Sequence, residues 1–290
     1  MKTIQTTPAC LFVVGTPLGN LQDITCRAVE VLKTVPVVAC EDTRHSRKLL
    51  GRYGIKARVI SCHEHNEAAA AEKVVSLVES GLPVALISDA GTPGISDPGY
   101  RVVSLALERG VRVVPVPGPS AATAALSAAG LPTDSFYFAG FLPARAGPME
   151  RALEELSGLK ATLVFYCPPH KLIRTLETML RVLGDRRAAV CREMTKVHEE
   201  FLRGRLKELL ELVSGRESPL KGEIVLVVEG NAGLEVQTGE ELAGRLERYL
   251  DSLPEARSLG ARKLTLAAAE HLKLPRNKVY PLVCAYLNRG

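Results

Sequence analysis

The sequence predicts an α/β protein in which a mainly parallel sheet is followed by a mixed sheet and then by a helical extension. Short apolar runs alternate with amphipathic stretches in the first part of the chain. Residues 187–206 contain two strand-like runs without a helix between them, and the pattern becomes helical after Gly230. We therefore expect an α/β domain at residues 1–117, a second α/β domain at 118–235 and a helical extension at 236–290.

The first domain contains five apolar runs with the length and composition of buried parallel strands. They are Leu11–Gly15, Val35–Glu41, Ala57–Ser61, Pro83–Ser88 and Arg112–Pro117. Amphipathic stretches predict helices between them: Ile24–Lys33, Glu67–Ser80 and Tyr100–Arg109. Polar residues suited to cap helices occur at three helix starts: Asp23 or Thr25, Asp42 or Thr43, and Asn66. This alternation implies crossover connections within a mainly parallel sheet.

The second domain contains five further strand-like runs, with fewer helices between them: Phe136–Gly140, Ala161–Cys167, Arg187–Met194, Glu200–Leu206 and Glu223–Glu229. The third and fourth runs have the spacing of a hairpin, which predicts antiparallel pairs in a mixed sheet. In the extension, helical patterns occur at Glu240–Leu250 and Leu264–Leu272, and a last helix begins near Pro275. The helices on either side of Lys273–Pro275 resemble a helix-turn-helix arrangement.

Three loops that directly follow predicted strands combine glycine, proline and hydroxyl residues: Gly15–Asn20, Asp89–Gly99 and Pro117–Ala121. Because parallel strands present their carboxyl ends at one edge of a sheet, we expect these loops to converge into one ligand pocket. Backbone groups would line this pocket beside one carboxylate, Asp89, which suits a nucleoside with a small positive centre such as a sulfonium. The absence of a GxxxxGKS/T run, and of a GxGxxG run between strand and helix, disfavours nucleoside triphosphates and dinucleotides.

The composition is that of an ordinary globular protein, with 46% hydrophobic and 24% charged residues. No apolar stretch approaches the roughly 18 residues of a membrane span, and residues 1–8 lack the apolar core of a signal peptide. We therefore expect a cytoplasmic protein without a membrane partner. The seven cysteines show no close CxxC pairing, so we expect reduced core residues rather than zinc ligands or disulfides.

Basic residues are concentrated in two stretches, although the formal net charge is only +5. One stretch contains no acidic residue between its basic members: Arg44, Arg47, Lys48, Arg52, Lys56 and Arg58. The other, residues 256–290, holds seven Lys or Arg residues against Glu270 alone. Such clusters suit a polyphosphate partner, and the alternative interpretation is a solvated basic helix face.

Six motifs together resemble those of a known family. The motifs are GTPLGNLQDIT at 15–25, CEDTRHS at 40–46, HEHNE at 63–67, SDAGTPGISDPG at 88–99, PGPSA at 117–121 and KGEIVLVVEG at 221–230. They resemble the ribosomal RNA small subunit methyltransferase I family of the tetrapyrrole methylase superfamily. The resemblance implies methyl transfer from S-adenosylmethionine to the 2′-hydroxyl of a cytidine in the decoding region of 16S ribosomal RNA. It also implies two α/β domains of tetrapyrrole methylase type, a cofactor in the cleft between them, and a homodimer.

The resemblance also implies which residues contact the cofactor. They are Thr16, Pro17, Asp89, Ala90, Gly91, Thr92, Pro93, Ser96, Ser120, Ala121, Phe165, Tyr166, Glu229 and Gly230. The chain departs from the family at residues 165–171, where the family commonly has Phe-Tyr-Glu-Ser-Pro-His-Arg and this chain has Phe-Tyr-Cys-Pro-Pro-His-Lys. A carboxylate and an arginine are therefore missing from that loop.

Other matched polar residues imply where the target ribose would enter: Asn20, Glu41, Asp42, Arg44, His45, Glu64, Asn66 and Asp97. Of these, we take Asp42, Arg44, His45, Glu64 and Asn66 as candidate catalytic residues. A ribose hydroxyl is a poor nucleophile at neutral pH, so a nearby group is expected to take its proton. Asp42, Glu64 or His45 is the candidate base, and Arg44 is the candidate phosphate contact. For Asp42, the alternative role is that of a helix cap.

We expect RNA contacts to be made mainly to phosphates, because aromatic residues form only 4% of the chain and tryptophan is absent. The candidate residues are Arg44, Arg47, Lys48, Arg52, Arg262, Lys263, Arg276 and Lys278. His63 and His65 are spaced for one face of a strand, but no third ligand accompanies them, so no metal is expected. Two other functions stay open: methylation of a tetrapyrrole or corrinoid precursor, and a catalytically silent RNA-binding assembly factor.

Overall fold

The computed structural model describes residues 9–63, 66–231, 239–253, 259–272 and 276–287. The described residues up to Asn231 form one compact unit that contains both sheets, and those from Gly239 onward belong to a second unit. The predicted division after residue 117 follows the last strand of the first sheet, but the two sheets lie within a single unit. The domain boundaries themselves stay a prediction.

All five strands predicted in the first part of the chain are present: β1 (Leu11–Val14), β2 (Val37–Cys40), β3 (Arg58–Ser61), β4 (Val84–Ile87) and β5 (Val113–Val116). They form one sheet in the order β3-β2-β4-β1-β5, and every neighbouring pair is parallel. The predicted parallel sheet is therefore confirmed. Because β1 lies between β4 and β5, the loops that leave these three strands emerge side by side at one edge.

Four helices cover the two faces of the first sheet: α1 (Cys26–Thr34), α2 (Thr43–Arg52), α3 (Glu67–Glu79) and α4 (Tyr100–Glu108). Helices α3 and α4 cover one face, where Val74 and Val102 are fully buried. Helices α1 and α2 cover the other face, where Leu32 is fully buried. Burying such a side chain contributes about 1.5–3 kcal/mol. Thr25 caps α1, as predicted, because its hydroxyl accepts a hydrogen bond from the Ala28 N–H.

The five strands predicted in the second part of the chain are also present: β6 (Phe136–Phe141), β7 (Thr162–Cys167), β8 (Arg187–Arg192), β9 (Glu200–Arg205) and β10 (Ile224–Val228). They form a sheet in the order β6-β7-β10-β8-β9, with β6 and β7 parallel and the other pairs antiparallel. The mixed sheet and the β8–β9 hairpin are therefore confirmed. Strand β10 runs against β7, so its first residue, Ile224, pairs with Cys167 at the end of β7.

As predicted, fewer helices connect the strands of this second part: among the described residues, three α-helices lie between β6 and β10, against four between β1 and β5, and a further one precedes β6. Four helices are described there: α5 (Ala121–Ala129), α6 (Ala146–Leu156), α7 (Leu172–Leu183) and α8 (Leu206–Ser214). Helices α6, α7 and α8 cover one face of the second sheet, and α5 covers the other. The sequence of α5, AATAALSAA, is small and apolar on almost every side. It therefore lacks the amphipathic period by which the helices of the first domain are predicted.

The second unit contains three described helices: α9 (Gly239–Asp251), α10 (Ala261–Leu272) and α11 (Arg276–Leu287). They pack around a small core that includes Leu250, Leu264 and Val283. The helices predicted at Glu240–Leu250 and Leu264–Leu272 are therefore confirmed. The predicted turn at residues 273–275 lies outside the described residues.

The cysteines lie mainly in the core, as predicted. Five of them are buried free thiols: Cys10, Cys40, Cys62, Cys167 and Cys191. Within the described parts of the chain, no helix combines the length and the apolar character needed to cross a membrane.

Candidate active site

The three predicted loops converge at the carboxyl edge of the first sheet. Thr16 and Gly91 exchange backbone hydrogen bonds of 2.8 and 3.1 Å, which join the loop after β1 to the loop after β4. The Thr92 hydroxyl donates to the Pro119 carbonyl at 3.3 Å, which joins the loop after β4 to the loop after β5. The predicted convergence is therefore confirmed.

Gly15 and Gly118 bring the loops after β1 and β5 into direct backbone contact. A Cβ atom on Gly15 would lie 2.8 Å from the Gly118 Cα, and one on Gly118 would lie 2.9 Å from the Gly15 Cα. A side chain at either position would therefore force the backbone apart. Next to this contact, the fully buried Thr16 hydroxyl donates to the carbonyls of Ser88 and Gly91 at 3.1 and 3.3 Å. Backbone packing and these hydrogen bonds thus fix the shape of the loops.

A cavity of about 450 Å³ lies between these loops and the second sheet. Eight of the predicted cofactor contacts line it: Asp89, Ala90, Gly91, Thr92, Ser96, Ser120, Ala121 and Tyr166. Twelve further residues, which the sequence does not assign to cofactor contacts, also line it: Leu18, Glu41, Ile95, Asp97, Phe141, Cys167, Pro168, Pro169, Gly222, Glu223, Ile224 and Val225. The loops of the first sheet form one wall, and the end of β7 with the start of β10 forms the other.

Glu229 and Gly230, for which the resemblance implies cofactor contacts, do not line this cavity. Because β10 runs antiparallel to β7, it brings residues 222–225 to the cavity and places Glu229 and Gly230 at its far end. There, Glu229 forms an ion pair with Arg187, and a Cβ atom on Gly230 would overlap the Lys160 carbonyl. The motif KGEIVLVVEG thus contributes to the cavity through its beginning rather than through its end.

Phe165 does not reach the cavity either, because successive residues of a strand face opposite sides of the sheet. Its ring is fully buried in the core under α6, α7 and α8, whereas the next residue, Tyr166, lines the cavity. Thr16, Pro17 and Pro93 are buried within the loops and do not line the cavity. We therefore assign these residues to the support of the cavity walls.

The cavity is more acidic than predicted, because four carboxylates line it: Glu41, Asp89, Asp97 and Glu223. The expectation of Asp89 as the one carboxylate is therefore wrong. Burial, reinforced by the negative charge of Glu41, raises the pKa of Asp97 to about 6, although a hydrogen bond with the Ser88 hydroxyl opposes this shift. Among the residues that the structure describes, no group of His, Cys, Asp or Glu is arranged to hold a metal ion. A positively charged ligand would relieve the repulsion between these carboxylates.

The part of the opposite wall that β7 forms is aromatic and apolar. The Tyr166 ring makes edge contacts with Phe138 and Phe141, at centroid distances of 5.0 and 5.4 Å. Burial raises the pKa of the Tyr166 hydroxyl, so it stays protonated at neutral pH. Cys167 occupies the position of the missing carboxylate, and burial raises the pKa of its thiol to about 11. This part of the wall therefore carries no negative charge.

The predicted catalytic residues that the structure describes do not line the cavity. The Asp42 carboxylate caps α2, because it accepts hydrogen bonds from the backbone N–H groups of Arg44 at 2.7 Å and His45 at 3.4 Å. The hydrogen bonds from Arg44 hold the pKa of Asp42 below its usual value. The Asn66 side chain closes the loop after β3 through two hydrogen bonds to its backbone. Arg44 and His45 are exposed, and Glu64 lies outside the described residues.

The predicted RNA-binding residues occur on separate helices. Helix α2 exposes Arg44, Arg47, Lys48 and Arg52. Helix α10, in the second unit, exposes Arg262 and Lys263. Arg276 and Lys278 fall in α11, with side chains outside the described residues.

Known proteins resemble this chain over most of its length. The model of the family Tetrapyrrole (Corrin/Porphyrin) Methylases matches residues 10–210. The chain is 48% identical over 221 residues to the Ribosomal RNA small subunit methyltransferase I of Halalkalibacterium halodurans, with 76% of each chain covered. It is 45% identical over 271 residues to the protein of the same name from Escherichia coli O157:H7, with 93% of each chain covered.

The fold is that of solved methyltransferases. The uroporphyrin-III-C-methyltransferase of Thermus thermophilus matches the chain with a TM-score of 0.52 and 24% sequence identity. The match covers 77% of this chain and 93% of that one. At this level of identity the comparison shows the shared fold, a parallel sheet followed by a mixed sheet, as predicted.

Methylases of this family take the methyl group from S-adenosylmethionine, which is therefore the cofactor of this methyltransferase. The residues present fit that cofactor, because the carboxylates of Asp89 and Asp97 suit its positive charge and the Thr92 and Ser120 hydroxyls offer hydrogen bonds beside an aromatic wall. The chain thus belongs to the tetrapyrrole methylase family and, within it, to the ribosomal RNA small subunit methyltransferase I family.

Proposed function

We propose that this chain methylates the ribosomal RNA of the small subunit, at the 2′-hydroxyl of a cytidine in the decoding region of 16S ribosomal RNA. The observation that carries the proposal is a basic helix that begins at the rim of the cofactor cavity. The Asp42 N–H donates to the Asp89 carboxylate, which lines the cavity, at 3.1 Å. From Asp42 onward, α2 exposes Arg44, Arg47 and Lys48. Phosphates bound on α2 would therefore lead a ribose toward the cavity.

Bound S-adenosylmethionine supplies an electrophilic methyl group on a sulfonium. The chain contributes the alignment of the ribose oxygen with that group, and positioning of this kind is worth several kcal/mol, up to about 7–11 in favourable cases. We assign the phosphate contact to Arg44, whose side chain is 86% exposed next to the cap of α2. Because Arg44 binds the phosphate outside the cavity, the cavity itself needs no positively charged side chain, and its carboxylates face the cofactor.

For the general base, Asp97 is a stronger candidate than Asp42. Asp97 lines the cavity, and its pKa of about 6 leaves it ionised at neutral pH but still basic enough to accept a proton. The Asp42 carboxylate is engaged in capping α2, and its pKa is lowered by hydrogen bonds from Arg44. His45 and Glu64 stay proposals for this role.

Cofactor affinity should depend on pH through Asp97. Because a cation favours the ionised carboxylate, binding near pH 6 should release a proton, and the affinity should rise as the pH rises from about 5 to 7. Above that range the affinity should level off. Calorimetric titrations in buffers of different ionisation enthalpy measure the released proton directly.

Asp97→Asn is the matched control for this pH dependence, since it retains shape and hydrogen-bonding capacity but does not ionise. The variant should bind S-adenosylmethionine more weakly at pH 7 and lose the rise between about pH 5 and 7. If the affinity of Asp97→Asn for the cofactor still rose between about pH 5 and 7, a group other than Asp97 would be responsible for the pH dependence.

RNA affinity should depend strongly on salt and on α2. The double substitution Arg47→Gln and Lys48→Gln should reduce the slope of log K against log salt concentration by about 1.5, since each lost phosphate contact removes about 0.7–0.9. Filter binding of 16S ribosomal RNA fragments at several salt concentrations measures this slope. Arg174→Gln with Lys207→Gln, on α7 and α8, is the matched control that should leave the slope unchanged.

Transfer of tritium from methyl-labelled S-adenosylmethionine tests the proposed function. We expect label in small ribosomal subunits, and mass mapping should place it on the ribose of one cytidine. Label only in a tetrapyrrole precursor would indicate the small-molecule enzyme, and binding to subunits without any transfer would indicate a silent assembly factor. We also propose a cytoplasmic homodimer, for which light scattering should give twice the mass of one chain.

A further inference from the structure

The segment that connects β8 to β9 contacts the first sheet beside the cavity. The Asn20 N–H, in the loop after β1, donates to the Thr195 hydroxyl at 3.2 Å. The Lys196 side chain lies so close to Gly19 that a Cβ atom on Gly19 would overlap its methylene groups. This segment of the second sheet therefore bridges to the loop after β1.

Lys196 also joins two carboxylates at the edge of the cavity. Its Nζ atom lies 2.9 Å from a carboxylate oxygen of Glu193 and 3.2 Å from one of Glu223. The Glu193 carboxylate accepts a hydrogen bond from the Glu223 N–H at 2.8 Å, and the Glu193 N–H donates to the Glu223 carbonyl at 2.9 Å. Glu223 itself lines the cavity. Lys196 therefore contacts the wall of the cofactor cavity through one residue, Glu223.

The backbone around this cluster has an unusual conformation. Glu193 and Thr195 have φ angles of 47° and 67°, a region that residues other than glycine rarely adopt. Gly222 has a φ angle of 92°, and a Cβ atom there would overlap the Glu193 carboxylate. Such conformations persist where surrounding contacts determine them strongly, and they cluster at functional sites.

We propose that Lys196 is a positioning residue for cofactor binding, because it holds Glu223 and the loop at Gly19 in fixed places on either side of the β8–β9 connection. S-Adenosylmethionine then binds to walls that are already in place, which reduces the cost of ordering them. The proposal rests on the cofactor cavity of the proposed function and is independent of the RNA substrate.

A purely electrostatic role of Lys196 predicts the opposite result to a positioning role. If Lys196 acted only through its charge, its removal would make the cavity more negative and strengthen the binding of a cationic cofactor. If Lys196 positions the wall, its removal leaves Glu193 and Glu223 repelling each other. Binding then weakens both for S-adenosylmethionine and for S-adenosylhomocysteine, whose sulfur is uncharged.

The test is the equilibrium dissociation constant of each ligand, measured by calorimetry for Lys196→Met. Methionine keeps an unbranched side chain against Gly19 and lacks the ammonium group. We expect both constants to rise by about tenfold or more, with partial recovery in Lys196→Arg. The double variant Lys196→Met with Glu193→Gln should bind no more weakly than Lys196→Met alone, because Lys196 and Glu193 act through one contact and Glu193 does not line the cavity. The KM for the cofactor should change more than kcat.

Arg216→Met is the matched control, since it removes the ion pair with Glu200 on the same hairpin, and neither residue lines the cavity. It should leave both dissociation constants unchanged. Unchanged or tighter binding in Lys196→Met, or additive losses in the double variant, would overturn the proposal. A wild-type chain that binds no S-adenosylmethionine would instead overturn the cavity assignment on which the proposal rests.

Discussion

Gly15→Ala should weaken S-adenosylmethionine binding by about tenfold or more and destabilise the fold by about 1–3 kcal/mol. The new Cβ atom would lie 2.8 Å from the Gly118 Cα, so the loops after β1 and β5 would have to separate. That separation changes the wall that Ser120 and Ala121 contribute to the cavity. Calorimetry measures the affinity, and urea denaturation measures the free energy of unfolding.

Gly230→Ala is the matched control for this prediction. A Cβ atom on Gly230 would overlap the backbone carbonyl of Lys160, so this variant should also be destabilised. Because Gly230 lies at the far end of β10 from the cavity, the folded variant should bind the cofactor normally. If Gly230→Ala weakened cofactor binding and Gly15→Ala did not, the cofactor would bind at a site other than this cavity.

Asp89→Asn should reduce kcat/KM for methyl transfer by about 30- to 100-fold, which corresponds to about 2–3 kcal/mol for a charged hydrogen bond in a partly buried site. Asp89 lines the cavity, and its carboxylate accepts the Asp42 N–H at the start of α2. The substitution removes a negative charge that faces the cofactor and weakens the link between the cavity and the basic helix. Initial rates at varied cofactor concentration measure the effect.

Glu229→Gln is the control for Asp89→Asn, because Glu229 also follows an apolar strand. It tests whether the loss of any such carboxylate would reduce kcat/KM. Glu229 is half-buried and pairs with Arg187 at the other end of the second sheet. The structure predicts an unchanged kcat/KM for this variant. A loss comparable to that of Asp89→Asn would restore Glu229 as a cofactor contact.

Sequence reasoning predicted all ten described strands, because each is a short apolar run bounded by polar or turn residues. It also predicted the convergence of the loops after β1, β4 and β5, since parallel neighbours present their ends together. It missed helix α5, whose alanine-rich sequence has no polar face to reveal a helical period. Local patterns thus determined where strands begin and end better than they determined the helices of the second sheet.

The predicted site differs from the observed cavity for another reason, which is the direction of strands in space. The resemblance implies cofactor contacts at Glu229 and Gly230, but β10 is antiparallel to β7 and brings Glu223 to the cavity instead. The acidity of the cavity was underestimated because Glu41 and Glu223 come from segments far apart in sequence. Only the topology brings these carboxylates together with Asp97.

The most direct test is a crystal structure of the chain with bound S-adenosylmethionine. We predict density for the cofactor in the cavity, in contact with residues 89–92 of the first sheet and residues 222–225 of the second, with its sulfonium facing the carboxylates. Cofactor bound beside Glu229 and Gly230, or anywhere else outside this cavity, would contradict the assignment.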